Sequence, residues 1–138
     1  MNDHETTVDE LKALVLDFAV ERNWVQFHHP KDLGLALGSE VGELMDLLRF
    51  RSNEQIAADL ATADGHRDVA HELADCLWAI LRLGEVCRVD LAASLVEKVR
   101  LAGLKYPADL SRGRNQKYTA YRPAADSAGP APDGTMGG

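Results

Sequence analysis

The sequence lacks several features that would place it in common protein classes, beginning with cysteine. It has only two cysteines, Cys76 and Cys87. If both lie on one helix, their separation of eleven positions places them about 16 Å apart, which is too far for a disulfide. Two free thiols are typical of a protein of the reducing cytosol. We therefore expect a cytoplasmic protein.

Long apolar runs and an excess of positive charge are also missing. No apolar run approaches the roughly 20 residues needed to cross a bilayer, and residues 1–10 are too polar and acidic for a secretory signal. The formal net charge of -7 argues against a protein that binds nucleic acid through a basic face. We expect neither a membrane nor a nucleic-acid partner. An acidic protein can still bind nucleotides, because carboxylates bind Mg²⁺ and the metal binds phosphates.

No segment shows the period-2 alternation of a β-strand, and apolar residues instead recur at helical spacing. The spacing predicts four main helices and a shorter one between the second and third. Their predicted ranges are residues 8–22, 33–50, 53–63, 66–87 and 91–104. Amphipathic helices joined by short links pack into bundles. The sequence therefore predicts an all-α fold, a four-helix bundle.

The ends of these predicted elements carry local signals. Thr7 or Asp9 can cap the first helix, and Asp90 can cap the last one. Residues 23–30 read as an ordered aromatic loop, because Pro30 disfavours helical backbone at the preceding residue. The chain length fits one domain, which we place at residues 1–122. The tail at 123–138 is rich in Ala, Gly and Pro and is predicted to be disordered.

Three glycines lie four residues apart along the second predicted helix, at Gly34, Gly38 and Gly42. Each glycine costs a helix about 1 kcal/mol relative to alanine. A stripe of three such residues indicates either that a ligand or another backbone comes close or that helices pack tightly there. Gly65, by contrast, reads as a break before the third main helix.

Two pairs of carboxylates carry the strongest functional signal. Glu40 and Glu43 lie three residues apart on the second predicted helix, and Glu72 and Asp75 lie three apart on the third main helix. Residues at this spacing share one helix face, and their neighbours are apolar. Buried carboxylates without partners are costly, so a cation between the two helices would compensate. Four oxygen ligands suit a hard ion, Mg²⁺ or Mn²⁺.

Other interpretations of the four acids remain open on these grounds. An ExxE pair on a helix is common and usually solvated, and Arg49 or Arg82 are candidates to form salt bridges with these acids. A di-iron carboxylate bundle is a further alternative. It would require an ExxH pair on each of two helices, and no predicted helix has one.

The same residues carry a family resemblance. Glu40-Val41-Gly42-Glu43, followed after 28 residues by Glu72-Leu73-Ala74-Asp75, resembles the ExxE…ExxD signature of the MazG-like all-α nucleotide pyrophosphohydrolases. Residues 23–33, which read NWVQFHHPKDL, look like the aromatic loop of the dCTP pyrophosphatase branch. Lys105-Tyr106-Pro107 resembles the C-terminal strip of that branch. The resemblance runs from about residue 11 to residue 118.

This resemblance implies an enzyme that cuts a nucleoside triphosphate between the α and β phosphates, giving the monophosphate and pyrophosphate. The four carboxylates would be the catalytic groups and would hold Mg²⁺, with Mn²⁺ as a possible substitute. It also implies a homo-oligomer, with a tetramer favoured and a dimer open. The implied substrate-binding residues are Trp24, His28 and Phe50 for base and sugar, and Lys98, Lys105 and Tyr106 for the phosphates.

Four positions depart from the pattern of the branch. Phe50 stands where the branch often has tryptophan, Ala79 where it tends to have tyrosine, and Ala102 where it tends to have asparagine. Val15 occupies a position that is histidine in some members. A pocket that loses polar groups loses discrimination between bases. The resemblance thus predicts dCTP or a related pyrimidine deoxynucleotide as substrate, in house-cleaning of the nucleotide pool, while these changes leave the base specificity open.

One alternative keeps the fold and discards the chemistry. A non-catalytic helical module for assembly or nucleotide sensing would explain an altered base pocket. It would not explain four acids embedded in apolar helix faces, because a scaffold has no need of them.

Overall fold

The structure, a computed structural model, describes residues 1–121, and the tail predicted to be disordered lies outside these residues. Every regular element of residues 1–121 is helical, which confirms the prediction of an all-α fold. The helices are α1 (Val8–Glu21), α2 (Pro30–Leu48), α3 (Asn53–Leu60), α4 (Ala63–Val86), α5 (Leu91–Lys105) and α6 (Ala108–Ser111). Two 3₁₀ turns, Val25–Phe27 and Tyr118–Tyr121, complete the set. No helix of the described chain is long and apolar enough to span a membrane.

The chain divides into two compact units, Met1–Ser94 and Leu95–Gly138. The first unit holds α1 to α4 and the start of α5, and the second holds the rest of α5 with α6. The boundary thus falls within α5, the fourth main helix of the predicted bundle. The assignment of residues 1–122 to one domain stays a prediction.

In the first unit, α4 is the central helix. It packs against α1, α2 and α3, and its apolar side supplies three of the buried core residues. The buried apolar residues of the unit are Val15, Ala19, Leu33, Cys76, Ala79 and Leu81. The residues just before α2 contact the C-terminal half of α4, since Arg82 hydrogen-bonds to His28. The end of α2 and the start of α4 line one cavity of about 230 Å³, so α2 and α4 run antiparallel.

The start of each helix follows from local chemistry. Thr7, rather than Asp9, caps α1: its Oγ1 accepts a hydrogen bond from the Glu10 backbone N–H, and the Glu10 carboxylate accepts one from the Thr7 N–H. This reciprocal pair is a capping box. Helix α2 begins at Pro30, three residues before the predicted start, because the fixed φ of proline suits the first helical position. His29 is extended, as expected before a proline.

Contrary to the prediction, Gly65 does not mark a break in helical structure before α4 but lies in the first turn of this helix. Helix α4 already begins at Ala63, and the Thr62 side chain caps it by accepting a hydrogen bond from the Gly65 N–H at 3.0 Å. A Cβ atom at Gly65 would collide with the backbone carbonyl of Asp59 in α3. Glycine is therefore required at this position by close packing of two helices, and not by a turn.

The glycine stripe of α2 has a different environment. A Cβ atom built at Gly34, Gly38 or Gly42 would meet nothing within 4 Å. No part of the first unit therefore packs closely on the stripe, and close approach of a ligand or of another chain stays a prediction. The stripe leaves open space beside α2.

Candidate metal and nucleotide site

Three carboxylates of the first unit converge between α2 and α4. Glu40 and Glu43 from α2 and Glu72 from α4 each offer one oxygen, and these oxygens lie within 4.8 Å of one another. Glu40 and Glu72 are half-buried, while Glu43 is exposed. Asp75, the fourth predicted ligand, lies outside this tight group and is exposed. Its charge nevertheless acts on Glu40.

The electrostatics of this carboxylate group are unfavourable without a cation. The pKa of Glu40 is raised above its ordinary value, first by burial and then by repulsion from Glu43, Asp75 and Glu72. Both causes disfavour the charged form of the carboxyl. Among residues 1–121, no arginine, lysine or histidine forms an ion pair with any of the four acids; the recorded pairs all involve other carboxylates.

The two arginines considered as salt-bridge partners bind other acids. Arg49 pairs with Asp46 at 2.9 Å, and Arg82 pairs with Glu85 at 2.5 Å. Each arginine therefore reaches an acid three residues away on its own helical face. The salt-bridge interpretation of the four carboxylates is wrong for both arginines.

One oxygen of the group has no partner at all. Oε2 of Glu72 is buried and makes no hydrogen bond within the described chain. A buried carboxylate oxygen without a partner is costly, and a hard cation is the partner that carboxylate oxygens prefer. No histidine or cysteine of residues 1–121 joins the group, whereas a di-iron or zinc site would need nitrogen or sulfur ligands. The donor set fits Mg²⁺ or Mn²⁺.

His28 lies near the start of α2, in contact with α4. Its Nδ1 accepts a hydrogen bond from Nε of Arg82 at 3.2 Å, and its ring meets Trp78 edge-on, with 5.4 Å between the ring centroids. Burial, and then the positive charge of Arg82, lower the pKa of His28 below its ordinary value. Contacts from α4 thus fix the imidazole.

The other two aromatic residues predicted for the base pocket are more open. Trp24 packs edge-on against Phe18, with 5.8 Å between centroids, and keeps part of its surface exposed. Phe50 follows α2 with a φ of 60°, in the left-handed region, and its side chain is 96% exposed. The Arg49 guanidinium lies 5.4 Å from the centre of the Phe50 ring. The described part of the chain therefore does not enclose Phe50.

The predicted phosphate ligands all belong to the second unit. Lys98 lies exposed on α5. Nζ of Lys105 lies 5.7 Å from the centre of the Tyr118 ring, and Tyr106 packs edge-on against both Tyr118 and Tyr121, with 6.2 Å between centroids in each pair. Sequence reasoning did not single out Tyr121, because it follows an irregular segment that has no periodic pattern.

Sequence and structure comparisons relate this chain to known pyrophosphatases. The chain is 36% identical to the human dCTP pyrophosphatase 1 and 37% identical to the bovine one over 115 residues, which are 83% of this chain and 68% of each relative. The chain belongs to the dCTP pyrophosphatase 1 family. A pyrophosphatase from Archaeoglobus fulgidus has a similar structure, with a TM-score of 0.67 and 28% identity over 78% of this chain and 98% of that one. No protein-family model matches the sequence.

Membership of the dCTP pyrophosphatase 1 family confirms the predicted resemblance. At the level of the family it also confirms the prediction of a hydrolase that acts on nucleoside triphosphates.

The four residues at which this chain departs from the pattern of the branch differ in burial. Val15 and Ala79 are buried in the first unit, while Phe50 and Ala102 are exposed. Two of the four changes thus fall in the core of the unit that carries the carboxylate group.

Sequence reasoning about the dCTP pyrophosphatase pattern missed Trp78 and Glu85. A signal for both was present, because Trp78, Arg82 and Glu85 follow one another at spacings of four and three on α4, and such residues share a face.

A cavity of about 610 Å³ lies elsewhere in the first unit, between the start of α1 and the turn from α4 to α5. Lys12 spans one side of it by donating to the Val89 carbonyl at 3.3 Å. None of the residues predicted for catalysis, metal binding or substrate binding lines this cavity. Its size therefore gives no reason to move the candidate site away from the carboxylates.

Proposed function

We propose that this chain is a nucleoside triphosphate pyrophosphohydrolase that requires a divalent metal, with Mg²⁺ as the natural ion. It converts dCTP or a related pyrimidine deoxynucleotide to the monophosphate and pyrophosphate, and so cleans the nucleotide pool. The curated relatives named dCTP pyrophosphatase 1 support this proposal. The observation that carries it is the group of Glu40, Glu43 and Glu72, with one buried oxygen that has no partner.

In this proposal Glu40, Glu43, Glu72 and Asp75 hold the ion and are the catalytic residues. When bound, Mg²⁺ would supply positive charge to the phosphate oxygens and favour deprotonation of a water molecule. One carboxylate of the set would accept a proton from the attacking water. Phosphoryl transfer depends chiefly on positioning and electrostatic stabilisation, so the chain needs no covalent nucleophile.

The residues proposed to bind the nucleotide form two groups, one for the base and sugar and one for the phosphates. Trp24, His28 and Phe50 are proposed to bind the base and sugar, while Lys98, Lys105 and Tyr106 are proposed to bind the phosphates. His28 and Phe50 flank opposite ends of α2, so these two residues would not meet one base within a single chain. Ten residues of α2 separate Pro30 from Glu40, a rise of about 15 Å. His28 precedes the N-terminal end of α2, so it lies away from the carboxylates along this helix.

We also propose a cytoplasmic homo-oligomer, with a tetramer favoured over a dimer. Large apolar side chains are exposed along α5 in the second unit, at Leu95, Val96, Val99 and Leu104. In the first unit Phe50 is still more exposed. Extended apolar surface of this kind marks a protein interface. Light scattering on the purified chain tests the stoichiometry, and a monomer at micromolar concentration would contradict this part of the proposal.

A turnover panel tests the proposed reaction. Purified protein is mixed with Mg²⁺ and each common NTP and dNTP, plus 5-methyl-dCTP, and the products are separated. We expect monophosphate and pyrophosphate, chiefly from cytidine-type deoxynucleotides. Pyrophosphate from a different set of nucleotides would keep the reaction and discard the dCTP preference. No turnover with Mg²⁺ or Mn²⁺ would favour the non-catalytic module instead.

A single variant separates the enzyme from the module. Glu43→Ala removes a proposed metal ligand and should abolish turnover. Because Glu43 is exposed, the circular dichroism spectrum of this variant should stay helical. Asp46→Ala is the matched control, because Asp46 lies three residues further along α2 and pairs with Arg49 outside the carboxylate group. Equal turnover in both variants would contradict the role given to Glu43.

A further inference from the structure

Arg82 is the one charged side chain of the described chain that is fully buried. Only 1% of its surface is exposed, and it is the largest side chain with so little exposure. A buried guanidinium is costly unless its hydrogen bonds are satisfied. Arg82 has two such contacts, to Glu85 at 2.5 Å and to Nδ1 of His28 at 3.2 Å. Neither contact serves the carboxylate group.

The contact with His28 determines where the imidazole carries its proton. A guanidinium is always protonated and can only donate, so Nδ1 of His28 must accept. An imidazolium has no acceptor nitrogen, and the neutral tautomer with a proton on Nδ1 has none at that position. The remaining form is the neutral ring with its proton on Nε2. The lowered pKa of His28, caused by burial and by the charge of Arg82, agrees with a neutral ring.

We propose that Arg82 is a positioning residue that holds His28 as the neutral, Nε2-protonated imidazole. His28 then meets the nucleotide as a hydrogen-bond donor, suited to a carbonyl or hydroxyl oxygen of the base or sugar. This inference rests on the proposed function, in which His28 binds that part of the substrate. An imidazolium would instead attract the phosphates, so the neutral ring favours the correct orientation of the nucleotide.

The neighbours of this pair support a positioning role. Glu85, one turn further along α4, anchors the guanidinium from the other side. Trp78, one turn before Arg82, meets the His28 ring at an interplanar angle of 88° and restricts its rotation. Arg82 is the charged group of the described chain that acts on His28, and it does so directly. Three residues of one helical face thus fix the ring.

The first test is spectroscopic and needs no substrate. Full-length protein labelled with ¹⁵N at histidine is studied by NMR at about pH 7, with His28 assigned by comparison with a His28→Gln variant. We expect an unprotonated Nδ1 and a protonated Nε2. The opposite tautomer, or an imidazolium at this pH, would overturn the proposal. Since no turnover is measured, failure of the proposed function does not affect this result.

The second test uses Arg82→Met with the same NMR measurement and with dCTP kinetics. Methionine fills a similar apolar volume, and Glu85 is only half-buried, so it can be solvated. We expect the pKa of His28 to rise, and KM for dCTP to rise about threefold to tenfold, the effect of one neutral hydrogen bond. The value of kcat should change by less than about twofold, because the lost contact binds ground state and transition state alike.

Arg67→Met is the matched control. Arg67 also lies on α4 and also pairs with an acid three residues away, Asp64, but it is exposed and far along the helix from His28. We expect this variant to match the wild type in KM and in the pKa of His28. An Arg82→Met protein with unchanged tautomer, pKa and KM would refute the positioning role. If that variant does not fold, the tautomer of the wild type decides the question.

Discussion

Replacement of Glu40 by glutamine should make the metal-free protein more stable. The Glu40 oxygen lies within 4.8 Å of oxygens from Glu43 and Glu72. At the dielectric constant of water, each such pair of charges repels by about 0.9 kcal/mol, and salt at ~0.1 M lowers this to about 0.5 kcal/mol. Glutamine keeps the shape and removes both repulsions. We therefore expect the free energy of unfolding to rise by about 1 kcal/mol, which is about 4 °C in Tm for a chain of this size.

The same substitution should reverse its effect when metal is added. An ion that binds only the folded state stabilises it by about 2.7 kcal/mol at a concentration of ~100 times Kd. Wild-type protein should gain this stability with Mg²⁺, and Glu40→Gln should lose most of the gain along with one ligand charge. Thermal unfolding followed by circular dichroism in EDTA and in Mg²⁺ measures both effects. The two proteins should thus exchange their order of stability between the two buffers.

Asp46→Asn is the control for this experiment. Asp46 lies on the same helix but pairs with Arg49 at the surface, so its loss should change stability by less than about 1 kcal/mol and leave the metal response intact. A Glu40→Gln protein that is less stable than wild type in EDTA would refute the reasoning. Equal stabilisation of all three proteins by Mg²⁺ would place the ion elsewhere.

Three further predictions concern stability, each measured by urea unfolding. In EDTA, Glu40→Gln should exceed the wild type in free energy of unfolding by less at about pH 5 than at pH 7. The pKa of Glu40 is raised in the folded state, so the folded wild type takes up a proton before the unfolded chain does and loses the repulsion. A difference that stays constant with pH would contradict this. Gly38→Ala should add about 0.5–1 kcal/mol, because its Cβ meets nothing; a loss would mean that a partner covers the stripe. Thr7→Ala should cost about 1 kcal/mol through loss of the cap, and no change would show that the first turn of α1 is frayed.

The main helices were predictable because apolar residues recur at helical spacing in each of them, although α5 buries none of its residues within the described chain. Their ends were less so. Helix α2 starts at Pro30, because proline is accepted at a first helical position, although it disfavours helix at the residue before it. Gly65 was misread for a different reason. The close backbone of Asp59 requires glycine there, and such a tertiary contact has no local signature.

The candidate site was likewise predictable from the sequence only in part. A spacing of three residues on each helix predicted that Glu40 and Glu43 would converge with Glu72, but Asp75, at the same spacing from Glu72, lies outside the tight group. The contact between Arg82 and His28 was not predicted, because it joins residues 54 positions apart and depends on the register between α2 and α4. That register comes from packing along the whole pair. Sequence reasoning accordingly offered Arg82 only as a candidate salt-bridge partner of the four acids and did not predict its contacts with His28 and Glu85.

The boundary between the two compact units also separates the residues proposed to bind the metal ion from those proposed to bind the phosphates. All four proposed metal ligands precede residue 94, while Lys98, Lys105 and Tyr106 follow it. In the proposed function, substitutions in the second unit would thus alter the binding of phosphates without replacing a metal ligand. The residues proposed for base and sugar, Trp24, His28 and Phe50, also precede residue 94, so in this proposal selection for a new base would act on the first unit and leave the proposed phosphate ligands unchanged.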